Sequence, residues 1–262
     1  MKIATWNING VKARIDTALA WLKEAEPDIA CFQEIKSVDE NFPREAFEAL
    51  GYNVEPHGQK GFNGVAILSK LPIDEVIRGL PGDDSDEQAR FIEAVVSVPS
   101  GPLRVVSLYL PNGNPVDTQK FPYKLAWMER LEARAKALLA DEETFILAGD
   151  YNVIADPIDA KRPEVWEGDA LFRPETRQAF RALLHLGLTE AFRACDTAAD
   201  RYTFWDYQAG AWQKNNGIRI DLLLLSPPAA DRLRGCTIDA HTRGWDKPSD
   251  HVPIWIDLDT DA

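Results

Sequence analysis

The chain is short of cysteine: its 262 residues hold three, Cys31, Cys195 and Cys236, scattered and with no CxxC pair. An odd, dispersed set argues against both a disulfide framework and a zinc site, and it fits a reducing cytoplasm. Long apolar runs are lacking too. The longest aliphatic one, LLLL at 222–225, is far too short to span a bilayer, and the opening MKIATWNING alternates polar and apolar residues where a secretion signal would need a continuous apolar stretch. The expectation is a soluble, untargeted, cytoplasmic protein with no membrane partner. No Gly/Ser-rich or Pro-rich linker interrupts the chain, so 1–262 reads as one domain, long enough to bury a sizeable core. A hydrophobic content of 45% with 10% aromatics excludes disorder for most of it.

Positive charge is also scarce, with 29 Lys and Arg against 42 Asp and Glu, a formal net charge of -13. Phosphate binding gains from cations that release counterions, so this balance weighs against a polyanionic partner. It does not exclude one, because a metal-dependent phosphodiesterase gathers carboxylates at its centre and can confine basic groups to one rim.

What is present is a series of short β-like runs with turn residues between them: KIATWNI, DIACFQEI, GVAILSK, RFIEAVVSV, LRVVSLYL, TFILAGDYNV, RYTFWDY, RIDLLLLS, CTIDAH and VPIWIDL. Helical periodicity occupies 11–25 (Val11, Ile15, Ala18, Leu19 and Leu22 on one face), 121–140 (Leu125, Met128, Leu131, Leu138) and 174–186. About ten strands are too many for one flat sheet, so the pattern predicts an α/β fold of two packed sheets covered by helices. The two halves read alike. In each, a strand ending in polar residues is followed by a helix and then by a strand ending in a carboxylate, TWNIN to CFQEI and SLYLPN to LAGDYN, which predicts that the polar strand ends meet at one rim.

Those strand ends carry the chemistry-bearing residues, since a sheet can hold a side chain rigidly at a pocket mouth. They are Asn7 and Asn9, Gln33 and Glu34, Tyr109 and Asn112, Asp150 and Asn152, and Asp250 with His251, one of only four histidines. Each has a bland reading when taken singly, as a strand end, a turn residue or a solvated charge. Asp221 is harder to dismiss, because it sits directly before four leucines. A buried carboxylate there needs a cation or a hydrogen-bond donor. A histidine N–H would serve, and so would Arg219, which shares its face at a period of two.

In order, TWNING, FQEIK, YNVEPHGQKGFNGVAI, YLPNG, KFPYKL, GDYN, GIRIDLLLLS and KPSDH resemble the exonuclease III family of abasic-site endonucleases, within the wider endonuclease, exonuclease and phosphatase superfamily. The likeness runs from residue 3 to residue 256. It implies a four-layer α/β sandwich, two mixed β-sheets face to face with helices outside. It also implies Mg²⁺ as cofactor, with Mn²⁺ as a substitute, held mainly by Glu34 with Asn7, Asn9 and Asp250; oxygen ligands of this kind suit those ions. His251 would sit at the scissile phosphate, oriented by Asp221, with Asp250 facing the metal side because neighbouring residues leaving a strand point opposite ways. Asp150 and Asn152 would hold the attacking water, and Tyr109 and Asn112 would donate to phosphate oxygens. Either Asp150 is the base and His251 a phosphate-binding donor, or the Asp221–His251 pair takes the proton while Asp150 assists the leaving group.

The same resemblance implies a pocket for a flipped, base-less sugar made by Phe204, Trp205, Ile218 and Ile220, because an abasic nucleotide has no stacked base to lose on extrusion. The plainer reading is that these aromatics fill the space between sheets. Ile218 stands where the human-type enzymes carry tryptophan. Lys60, Lys161 and Arg162 are candidate contacts to the DNA backbone. The implied partner is double-stranded DNA with abasic sites or 3' ends, acted on by a monomer. The rival readings are a nonspecific deoxyribonuclease, a phosphatase of the same superfamily, and a non-catalytic scaffold that would be expected to have lost one of the residues named above.

Overall fold

The computed structural model describes residues 1–261. Twelve strands form two six-stranded sheets. In the first, β11 (Leu233–Ile238), β12 (Ile254–Leu258), β1 (Lys2–Asn7), β2 (Ile29–Gln33), β4 (Val65–Ser69) and β3 (Asn53–His57) lie side by side in that order; in the second, β5 (Ile73–Arg78), β6 (Phe91–Val98), β7 (Gly101–Tyr109), β8 (Phe145–Asp150), β10 (Asp221–Leu225) and β9 (Thr189–Glu190) do. Each sheet has one parallel pair at its centre, β1 with β2 and β7 with β8. A parallel pair needs a crossover, and helices α1 (Ile15–Ala25) and α3 (Lys120–Ala140) supply it. Helices α2 (Arg44–Glu48), α4 (Pro174–His185), α5 (Ala191–Cys195) and α6 (Pro227–Ala230) complete the α-helices among the described residues.

Period-two burial then sorts the side chains into layers. Ile3, Cys31, Val105, Ile146, Leu223 and Ile254 point between the sheets. Ala4, Trp6 and Phe32 face outward to α1 and α2, where Trp6 meets Trp21 edge-on at 5.5 Å, and Leu147, Leu222 and Leu224 face α3 and α4. The order is helices, sheet, sheet, helices, the sandwich expected from the resemblance.

Following the inward row to the rim explains the site. In the first sheet it runs Ile3, Thr5, Asn7 on β1 and Ile29, Cys31, Gln33 on β2; in the second it runs Val105, Ser107, Tyr109 on β7 and Ile146, Ala148, Asp150 on β8. The space between the sheets is therefore apolar for most of its length and turns polar at one end. Gln33 marks the transition: fully buried, it donates to Thr5 Oγ1 (2.9 Å) and Ser107 Oγ (3.1 Å), tying the two sheets together beneath the rim.

RYTFWDY is not a strand. Thr203 and Phe204 both donate to the Ile218 carbonyl, and Thr203 Oγ1 accepts from the backbone of Ile220 and Asp221, so side-chain bonds replace a ladder there. Strands β3, β5 and β9 were not among the runs read from the sequence.

Candidate active site

Antiparallel pairing brings the remaining side chains to the same rim. Asp221, the first residue of β10, lies opposite Asp150, the last of β8, and the segment before β12 delivers Asp250 and His251 beside the end of β1. Turns of one design extend both walls. Asn7 Oδ1 accepts from the Asn9 N–H at 3.1 Å and Asp150 Oδ1 from the Asn152 N–H at 2.9 Å, and both Asn9 and Asn152 have φ 47°. A side-chain oxygen mimicking a turn carbonyl, followed by an asparagine that tolerates the left-handed region, is what N-x-N and D-x-N encode here. Glu34 also lies at φ 49°, where a residue with no such local turn is strained by about 1–3 kcal/mol. Its turn is held by the glycine-rich β3–β4 loop: Ile35 N–H donates to Gly64 O, Lys36 N–H to Asn63 O, and a Cβ on Gly64 would stand 2.5 Å from Ile35 Cγ1.

On one wall, Glu34 Oε1 accepts from Asn7 Nδ2 (3.0 Å) and the Tyr109 hydroxyl (2.9 Å), while Oε2 faces the Lys36 ammonium at 2.9 Å. Burial raises the Glu34 pKa, but the bonds from Asn7 and Lys36 outweigh it, and the carboxyl is held below its ordinary value as an anion. Asn9 Nδ2 reaches Asp250 Oδ1 at 3.0 Å. On the other wall, His251 Nδ1 meets Asp221 Oδ2 at 2.8 Å and its Nε2 lies 3.7 Å from Asp150 Oδ2. Burial disfavours the imidazolium, but Asp221 and Asp150 prevail and raise His251 to about 10. Asp150 is pushed up to about 7, by burial first and then by Asp221, against the pull of His251. Asn7 joins the walls, donating to Asp150 Oδ2 at 2.9 Å.

Glu34, Tyr109, Asn112, Asp150, Asn152, Asp250 and His251 line a cavity of about 240 Å³. Asn112 Nδ2 donates to Asn152 Oδ1 at 3.2 Å. Phe204, Ile218 and Ile220 make an apolar side of the same cavity, with Phe204 edge-on to the His251 ring at 4.9 Å. Asn114, Trp166, Asp169 and Leu171 also line it. Sequence reading missed them, because Asn114 lies in the loop between β7 and α3 and the other three in the irregular segment between β8 and α4, where no periodicity sets the direction of a side chain. A roomier cavity of about 470 Å³ lies beyond Arg219, but its Arg193, Arg219, Asp159 and Glu190 are paired with one another.

Two expectations need correction. Trp205 does not face the cavity. It is 2% exposed, donates from Nε1 to Asn215 Oδ1 (3.1 Å) and packs edge-on against Trp212, bracing the loop from behind. Nor does Arg219 pair with Asp221. The strand begins at Asp221, so the period of two does not extend back to Arg219, which turns away to Asp159 (2.9 Å) and Glu190 (3.0 Å). Lys161 and Arg162 sit in exposed ion pairs with Asp200 and Glu164, and Lys60 is exposed. Exposed pairs exchange at little cost, so they leave these cations open to other anions.

Asp150, Asp221 and His251 place one potential ligand atom each within 4.8 Å of one another. In this trio His251 Nδ1 is already engaged with Asp221 at 2.8 Å, and the histidine offers a nitrogen where Mg²⁺ or Mn²⁺ prefers oxygen. Glu34, Asp250, Asn7 and Asn9 offer oxygen donors only, with Glu34 held anionic, and this set fits Mg²⁺ or Mn²⁺.

The model of the endonuclease/exonuclease/phosphatase family matches residues 4–251. Exodeoxyribonuclease III of Haemophilus influenzae is 36% identical over 98% of this chain and 100% of its own length. An AP endonuclease from Archaeoglobus fulgidus superposes with a TM-score of 0.93 at 36% identity over 99% of both chains. A 3' phosphatase from Neisseria, solved with a product DNA hairpin, superposes at 0.94 and 35% identity, again over 99% of both. The site's side chains come from both ends of that matched span, and the chain belongs to the endonuclease/exonuclease/phosphatase family, in its exodeoxyribonuclease III branch.

Proposed function

We propose that this protein is a Mg²⁺-dependent DNA repair hydrolase that incises 5' to abasic sites and trims or cleans 3' ends from the same site. The observation that carries this reading is the joining of an anionic oxygen wall at Glu34 to an Asp221–His251–Asp150 relay across a small cavity with an apolar side. Glu34, with Asn7, Asn9 and Asp250, would hold the ion, which supplies charge stabilisation at a phosphoryl oxygen and leaving oxygen. His251, flanked by two carboxylates, keeps its proton and donates to a phosphate oxygen, as do Tyr109 and Asn112. That leaves Asp150 as the acceptor of a water proton, with Asn152 orienting the water. A base whose pKa burial has moved to about 7 is matched to neutral operation. Phe204, Ile218 and Ile220, with Leu171, favour a sugar without a base. Lys60, Lys161 and Arg162 would meet backbone phosphates by exchanging their surface partners. Among the described residues the exposed large apolar side chains are few, Phe62, Ile158, Val165 and Tyr207, which supports a monomer. Among the described residues no helix is long and apolar enough to cross a membrane; the likeness to bacterial exodeoxyribonucleases supports a cytoplasmic setting.

The likeness to a 3' phosphatase favours a second reading, in which 3'-end processing dominates. One experiment separates them. Three labelled duplexes are incubated with Mg²⁺ or a chelator: one with an internal abasic site, one intact with a recessed 3' end, one with a 3' phosphate. Mg²⁺-dependent incision just 5' to the abasic site supports the first reading. Action on the two 3' ends alone supports the second and removes the abasic-sugar assignment, and no action on any duplex refutes both.

A further inference from the structure

Lys124 is fully buried, 0% exposed, in the first turns of α3. A buried ammonium without a carboxylate partner is costly, yet this one makes no ion pair among the described residues. Its Nζ donates to two backbone carbonyls, Asn152 O at 2.6 Å and Asn112 O at 3.1 Å. Those carbonyls belong to the turns that continue β7 and β8, so the crossover helix that joins the two strands also clamps their ends. The clamp is built in by the surrounding sequence. Gly113, at φ 90°, is the only residue type that leaves room for the lysine stem: a Cβ there would lie 2.7 Å from Lys124 Cδ and 3.1 Å from Ala170 Cβ. On the other sheet Arg14, just before α1, does the equivalent for Asn9, donating to its carbonyl at 2.5 Å. Burial pushes the Lys124 ammonium down to about 7 against the pull of Asp150 and Asp169, with Arg90 lowering it further, so the fold keeps a group that costs it stability.

We propose that Lys124 is a positioning residue of the reaction: from beneath the cavity it fixes the turns bearing Asn112 and Asn152, and through them the amides that face phosphate and water. This rests on the nuclease reading above for its functional consequence, but the clamp itself is independent of it.

The test uses the full chain with Lys124→Met, Asn152→Ala and the double variant. Thermal melting, Mg²⁺-dependent cleavage of the abasic and recessed duplexes, and amide hydrogen exchange are followed together. The expected result for Lys124→Met is a melting temperature equal to or above that of the parent, exchange at least tenfold faster confined to 110–114 and 151–153, and kcat lowered at least tenfold with KM within about threefold. The double variant should lose less than the sum of the two single losses, because the lysine acts in part through Asn152. Unchanged exchange in both segments, or kcat within twofold of the parent, overturns the proposal. So does a loss of melting temperature with exchange rising everywhere, which marks a general structural role. If the parent cuts no duplex, the nuclease reading fails, and the exchange pattern alone decides whether Lys124 is a clamp.

Discussion

Replacing Asp221 with asparagine tests the relay directly. The amide can still present its oxygen to His251 Nδ1–H, so the 2.8 Å bond and the ring's orientation are kept while the charge is lost. Its NH₂ falls where Asp221 Oδ1 is buried without a partner, at a cost of about 1–3 kcal/mol. His251 is raised from 6.5 to about 10, which corresponds to roughly 5 kcal/mol of preference for the imidazolium. Asp221 is the nearer of the flanking carboxylates, so its loss should lower the imidazole pKa by about two units or more. The sign for stability follows: a raised histidine pKa contributes fully below 6.5 and fades as pH climbs towards about 10. The gap between parent and variant in urea unfolding should therefore be widest near pH 6 and shrink above it. Turnover should fall by about 10²–10⁴, the range for losing a correctly held acid–base group. Imidazole NMR of the histidine-labelled protein, with four rings to resolve, reads the titration. A His251 midpoint within half a unit of the parent's would refute the claim that Asp221 holds the proton there.

Asp150→Asn should abolish cleavage yet raise stability at pH 8 by a few kcal/mol, because a carboxyl whose folded pKa is raised from 3.8 to about 7 costs the fold progressively more as pH rises through that window; a lower melting temperature at pH 8 contradicts this. Glu34→Gln should weaken Mn²⁺ binding in calorimetry at least tenfold and cut the rate about 10³-fold, and unaltered Mn²⁺ affinity would move the ion elsewhere. Asp159→Asn leaves Arg219 and Arg193 short of their shared carboxylate (2.9 and 2.6 Å) and should cost about 3–5 kcal/mol in denaturant unfolding, whereas a loss under 1 kcal/mol would show that Glu190 suffices.

Sequence pattern was enough for the layers and the polar rim, because period-two alternation carries straight through to the last inward residue of each strand. Asn7, Tyr109, Asp150 and Asp221 are readable on that ground. Gln33 was not separable from Glu34 by pattern: one plugs the space between the sheets and the other faces the cavity, and the difference lies in where β2 ends and the backbone turns left-handed. Trp205 and Arg219 misled for a related reason. Both lie in segments whose hydrogen bonds go to side chains or isolated bridges, so alternation no longer tells which way a residue points. Lys124 sits on the buried face of α3 with Trp127 and Met128, while Leu125, expected there, is only half-buried. A helix that must reach two turns at the rim turns a lysine inward, and no hydrophobic count anticipates that.

The pairing order has a consequence for biogenesis. β6, from the first half of the chain, zips onto β7 of the second sheet, while β12 zips onto β1 of the first. The first six strands lend β5 and β6 to the second sheet, and the last six lend β11 and β12 to the first. During translation β1 is made early but its outer edge waits for β12, and His251 is delivered only with that last strand. A nascent chain that has not yet reached β12 therefore carries Asn7 and Glu34 without His251 beside them, and the polar rim is assembled in the same event that closes the first sheet.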